Sequence, residues 1–147
     1  MAVGAEVEIE NIPGYLPTPR YGTPELARVL RANAVDIVGE ENVVSGMWTV
    51  PGPIKVPGGG VSDSNDMLSI MPHCGLGVGG ASGRGHSREY VMTDKYNAYI
   101  APCKIYAGAL IDLLWDGGEV AQKVLDEFEP VVAKGGYMDY WRDILGE

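Results

Sequence analysis

Histidine and cysteine are scarce in this chain, two of each in 147 residues: His73, His86, Cys74 and Cys103. A catalytic zinc site takes three protein ligands and keeps one position open for water. Two histidines therefore set a low ceiling on metal chemistry by this polypeptide alone. The cysteines form no C-x-x-C pair, and they read as reduced thiols of a cytoplasmic protein rather than as a disulfide. Positive charge is also short, with 11 Lys and Arg against 20 Asp and Glu and a formal net charge of −9. Nucleic acid demands a basic face and an anionic bilayer demands a basic helix. Neither is an expected partner. The most apolar run, residues 105 to 115, is interrupted by Asp112 and is too short to span a bilayer. Met1-Ala2-Val3-Gly4 leads straight into an acidic alternating segment rather than a secretory signal. What these absences leave is a soluble cytoplasmic chain, long enough for one domain with its own core.

The alternation comes first. Val3, Ala5, Val7 and Ile9 fall on one side of an expected half-buried strand, with Glu6, Glu8 and Glu10 on the other. Three like charges on a strand face are read as solvated rather than as a metal face. Pro13-Gly14-Tyr15-Leu16-Pro17-Thr18-Pro19 forms a stiff connector, since each proline fixes φ and removes a donor. Thr23-Pro24-Glu25 then starts a helix with a hydroxyl cap, a proline in the first turn and an acid near the positive end. Leu26, Val29, Leu30, Ala34, Ile37 and Val38 recur at helical spacing, and Gly39 is a natural stop.

Residues 42 to 50 lean to strand, and a short strand is expected at Ile54-Lys55-Val56 between proline–glycine clusters. A short helix should span Asp63 to Ile70. Pro72 to Gly80 reads as a buried strand in which small residues alternate with Leu76 and Val78, and Ala81 to Tyr90 as an irregular loop. Thr93-Asp94 caps a helix whose apolar face includes Ile105, Tyr106, Ala109, Leu110, Leu113 and Leu114, kinked or divided at Pro102. Two further helical segments carry Val120, Ala121, Val124, Leu125 and Phe128, and then Tyr137, Tyr140, Trp141, Ile144 and Leu145. Interleaved strands and helices predict an α/β fold, a sheet flanked by helices.

Gly75-Leu76-Gly77-Val78-Gly79-Gly80 matches the dinucleotide fingerprint G-x-G-x-x-G in letters only. In that motif the glycines open a helix whose N-terminus faces a pyrophosphate, whereas here a loop follows. Glycines in a strand instead allow neighbouring backbone or a ligand to come close. His86 lies just past this strand, where ligands gather in open α/β sheets. A neutral imidazole there can bind zinc, with its second nitrogen oriented by a carboxylate such as Glu89. His73, near the strand start, reads as a packed or surface side chain. Asp63 and Asp66 share a face if the segment is helical; the competing reading makes Ser62 and Asp63 caps and Asp66 a favourable first-turn charge. A mononuclear site built from both histidines is disfavoured, because the extended run between them rises roughly 3.3 Å per residue.

Taken in order, Gly4-Ala5-Glu6-Val7-Glu8-Ile9-Glu10, Pro13-Gly14-Tyr15-Leu16-Pro17, Ser62-Asp63-Ser64-Asn65-Asp66, Gly85-His86-Ser87 and Ala107 to Leu114 resemble one family. It is the zinc-dependent peptidase and amidohydrolase family of aminoacylase, carboxypeptidase G and aminobenzoyl-glutamate hydrolase, the last branch being the nearest. The resemblance covers nearly the whole chain but only about the C-terminal third of a full-length member. It implies that residues 1–19 are a lid-domain strand and its Pro-rich connector, and that residues 20–147 are the C-terminal part of a catalytic α/β domain. It implies a zinc cofactor, His86 as a metal ligand, and Asp63 and Asp66 in a loop beside the metals, supporting the ligands or orienting substrate. The substrates implied are N-acyl amino acids or small peptide-like amides. The family's other ligands and its glutamate base belong to motifs without a counterpart here. The isolated chain is thus expected to be inactive, a homo-oligomer or one half of an assembly with an N-terminal partner polypeptide. The alternative is a non-catalytic, self-associating interaction module, because a sheet lacking strands leaves apolar faces uncovered.

Overall fold

The structure, a computed structural model, describes residues 4, 6–9, 23–43, 64–133 and 135–146. Five α-helices dominate it: α1 (Pro24–Val38), α2 (Ser64–Ile70), α3 (Ala101–Leu114), α4 (Glu119–Asp126) and α5 (Tyr137–Leu145). The described sheet is a single antiparallel pair, β1 (Ala81–Ser82) with β2 (Val91–Met92), in the register Ala81 opposite Met92 and Ser82 opposite Val91. Among the described residues the molecule is therefore mixed, mostly helical with a small antiparallel sheet.

The core is a helix–helix seam. Leu30 and Ala34 of α1 and Ile105 and Ala109 of α3 are buried together, with Cys74 and Leu76 packed against them. Small residues let the two helices approach. At Gly108 an added Cβ would lie 2.0 Å from Asn33 Oδ1. The Asn33 amide Nδ2 donates to Val29 C=O at 3.0 Å and to Asp112 Oδ2 at 2.6 Å, so it links the two helices beside the seam. Lys123 Nζ reaches Glu25 at 3.0 Å and joins α4 to α1; this lysine, then Arg28, holds the Glu25 carboxyl below its usual value. The other side of α3 is uncovered: Leu110, Ile111, Leu114 and Trp115 are all exposed, Trp115 by 75 %. No single helix among the described residues is long and apolar enough to cross a membrane.

α1 begins and ends where its sequence says it should, but its cap works differently. The Thr23 hydroxyl accepts from His73 N–H at 3.1 Å, and Thr23 N–H donates to His73 C=O at 3.0 Å. This reciprocal pair fastens residue 73 to the start of the helix. At α3 the expected interruption by Pro102 takes a specific form. Proline has no N–H for the carbonyl four residues back, and the preceding turn, Tyr96–Ile100, widens into a π-turn closed by Ala101 N–H on Tyr96 C=O.

Asp94 caps that turn: Oδ1 accepts from the backbone N–H groups of Tyr96 (3.0 Å) and Asn97 (3.2 Å), and Oδ2 from the Asn97 side chain (2.7 Å). The Asn97 bonds, with Tyr96 adding to them, hold the Asp94 carboxyl below its usual range. A lowered folded pKa contributes stability that is complete above the ordinary aspartate value and is lost as pH falls through the folded one. Thermal melts should therefore place wild type above Asp94→Asn at neutral pH, with the gap closing in acid. A gap that stays constant would remove the carboxylate's charge from this account.

Two expected strands are not strands in the described residues. Glu6–Ile9 is straight but unpaired, with Val7 and Ile9 exposed by 75 % and 81 %, so its apolar face is not half-buried. Residues 72–80 also run without turn or bend, yet they are not a buried strand: Gly75, Gly77, Val78 and Gly79 are exposed. A strand is buried and regular only when a neighbour takes up its backbone groups. The proline-rich connector, the strand-leaning residues 44 to 50 and Ile54-Lys55-Val56 lie outside the described residues.

Candidate metal-binding loop and adjoining cavity

His86 sits at the tip of the loop that joins β1 to β2. The loop is drawn tight at its neck, where Gly83 (φ +86°) lies so close under Glu89 that an added Cβ would meet Glu89 O at 2.1 Å. Ser87 laces its middle: Oγ donates to Arg84 C=O at 2.7 Å and accepts from Glu89 N–H at 3.3 Å, and Ser87 C=O accepts from Tyr90 N–H at 3.2 Å. His86 itself has φ +60°, the left-handed region. Histidine is among the side chains enriched there, so the strain is modest. Its ring is exposed, with no hydrogen bond or ion pair to the described residues. Glu89, the expected orienting carboxylate, is also exposed and makes no bond to the ring among these residues.

Asp66 lies elsewhere, on α2, where its Oδ2 accepts from the Tyr137 hydroxyl at 2.7 Å. That bond is foremost in holding the Tyr137 phenol above its usual value. Asp66 thus ties α2 to α5, a structural duty that the helix-surface reading of the sequence could not foresee. Tyr137→Phe should cost about 1 kcal/mol in chemical denaturation, the ordinary worth of such a bond. Because the folded phenol pKa is raised, the difference should be full below the ordinary tyrosine value and vanish as pH climbs through the folded one. An unchanged midpoint would show the pair to be solvent-screened. Asp63 lies outside the described residues. His73 is half-buried and held by its backbone on Thr23, in keeping with a packed rather than a ligating residue.

No cluster of three His, Cys, Asp or Glu side chains capable of holding a metal exists among the described residues. His86 offers one donor, and Asp66 is not gathered with it.

A cavity of about 480 Å³ opens between α1, the run at residues 76–79 and the start of α3. Ile37, Val38, Leu76, Val78 and Ile105 give it apolar walls, and Asn42, Tyr96 and Asn97 polar ones. Neither His86 nor Asp66 lines it. Sequence reasoning missed this cavity, although the alternating glycines were its signal. Gly80 alone of that run has the close neighbours expected of a strand glycine; at Gly75, Gly77 and Gly79 an added Cβ would meet nothing within 4 Å. The glycines lead into a hairpin and not a helix, as the rejection of the dinucleotide motif requires. In comparisons with protein-family models, curated proteins and solved structures, the chain matches none.

Proposed function

We propose that this chain is the C-terminal portion of a zinc-dependent peptidase or amidohydrolase acting on N-acyl amino acids or small peptide-like amides. In this reading His86 is one metal ligand, and the remaining ligands and the glutamate base come from outside this polypeptide. The observation that carries the reading is the imidazole itself: exposed, free of protein bonds among the described residues, and held at the tip of a laced loop. A ring buried in hydrocarbon would have excluded it. The loop restrains the backbone while leaving both nitrogens available, as a donor to a shared metal requires. Asp63 and Asp66 keep their proposed substrate-orienting roles, and Asp66 also bonds Tyr137.

Purified chain supplied with zinc should hydrolyse no N-acetyl amino acid. A zinc titration followed by NMR should shift the His86 ring signals and leave those of His73 in place. Turnover by this chain would show the ligand count to be wrong, and an unmoved His86 would remove it as the ligand.

A second reading, the self-associating interaction module, is favoured by the uncovered side of α3 at Leu110, Ile111, Leu114 and Trp115. Contiguous exposed apolar surface marks interaction sites.

A further inference from the structure

Cys74 to Gly79 is a run whose backbone is unpaired among the described residues. It runs straight, and none of its backbone N–H or C=O groups takes part in a backbone hydrogen bond among the described residues. Paired backbone brackets it on both sides. His73 is bound to Thr23, and Gly80 C=O accepts from the N–H groups of Thr93 (2.8 Å) and Asp94 (3.0 Å). Leu76 to Gly79 border the 480 Å³ cavity against α1, and an added Cβ at Gly75, Gly77 or Gly79 would meet nothing within 4 Å. Such an edge is a template for an added strand, whose main chain supplies affinity and whose alternate side chains fill pockets.

The same chain carries a second run that is unpaired among the described residues. Glu6–Ile9 has no turn, bend or pairing among the described residues, and alternates two exposed aliphatic side chains with two carboxylates. Charge matches as well. Arg84 and Arg88, just beyond the edge, are exposed and form no ion pair among the described residues, nor do Glu6 and Glu8.

We infer that two copies of this chain exchange these segments. Glu6–Ile9 of each copy lies along Cys74–Gly79 of the other, Val7 and Ile9 enter the cavity beside Leu76, and the carboxylates face the loop of Arg84 and Arg88. Within one copy the two segments are not paired. A reciprocal exchange is isologous and closed, so each copy gains the contact twice and no edge remains to propagate. The inference deepens the self-associating reading and is independent of the hydrolase one.

The experiment is light-scattering mass across a dilution series of the full chain, with two variants. Val7→Lys/Ile9→Lys removes the donor strand. Gly77→Pro removes an edge N–H at a position where nothing lies within 4 Å. Neither change touches the α1–α3 core. Wild type should be a dimer, and each variant should dissociate at concentrations roughly tenfold higher or more. An equimolar mixture of the two variants should recover a dimer held by the one intact exchange. A wild-type monomer overturns both the exchange and the self-associating reading. A dimer that survives both variants overturns the exchange alone and leaves association to the α3 face.

Discussion

Gly80→Ala is expected to lower unfolding free energy by about 3 kcal/mol, combining left-handed strain with overpacking. Gly80 has φ +93°, and an added Cβ would lie 2.5 Å from Asp94 O and 2.7 Å from Ala98 N. Both neighbours are main chain of the capped π-turn and cannot swing aside as a side-chain tip would. The same residue's carbonyl is the acceptor for Thr93 and Asp94, so moving it loosens the cap as well. Gly75→Ala is the internal control: with open space around it, the change should leave the urea midpoint unchanged or slightly raised. Equal losses at the two positions would show that unfolded-state entropy, not packing, governs this run. Gly83→Ala meets an even closer neighbour in Glu89. Its loop is exposed and can open by itself, so the expected result is a freed His86 loop with less global damage.

Leu30→Ala should cost about 3–4 kcal/mol by the same measurement, in the middle of the range for such truncations. Leu30 is 5 % exposed and packs with Ala34, Ile105 and Ala109. Two of those three neighbours are alanines, too short to reach into the space left behind, so a cavity persists instead of collapsing. Domains of this size are stable by about 5–15 kcal/mol, and the single change therefore spends a large part of the total. Leu114→Ala offers the contrast. That side chain is 67 % exposed, and surface changes of this kind stay within about 0.5 kcal/mol. A large loss at Leu114 would mean that the outer side of α3 is covered in solution.

Helices were legible in this sequence wherever local chemistry decides them. Pro24 and Gly39 bound α1 because proline and glycine act on their own backbone, and Asp94 caps its turn through bonds to residues two and three positions away. Two expected strands are unpaired among the described residues for the same physical reason. Alternation at Glu6–Ile9 and at Pro72–Gly80 records what a strand would bury, but a ladder needs a second strand at the right place. The loop histidine was legible as an available ring because flanking glycine and serine keep it at the surface. The side chains that converge near it were not, since that convergence is set by long-range topology. Asp66 shows the limit most plainly: its hydrogen-bond partner Tyr137 lies 71 positions along the chain.

α2 has seven residues, too few to persist as an isolated helix in water. Its Ser69 carbonyl accepts from both Val131 N–H (2.9 Å) and Val132 N–H (3.2 Å), and Asp66 holds Tyr137. Residues far apart in the chain thus form one cooperative opening unit. Amide protons of α2 should exchange with solvent in step with those of Val131 and Val132, since neither segment has reason to stay ordered once the other has left.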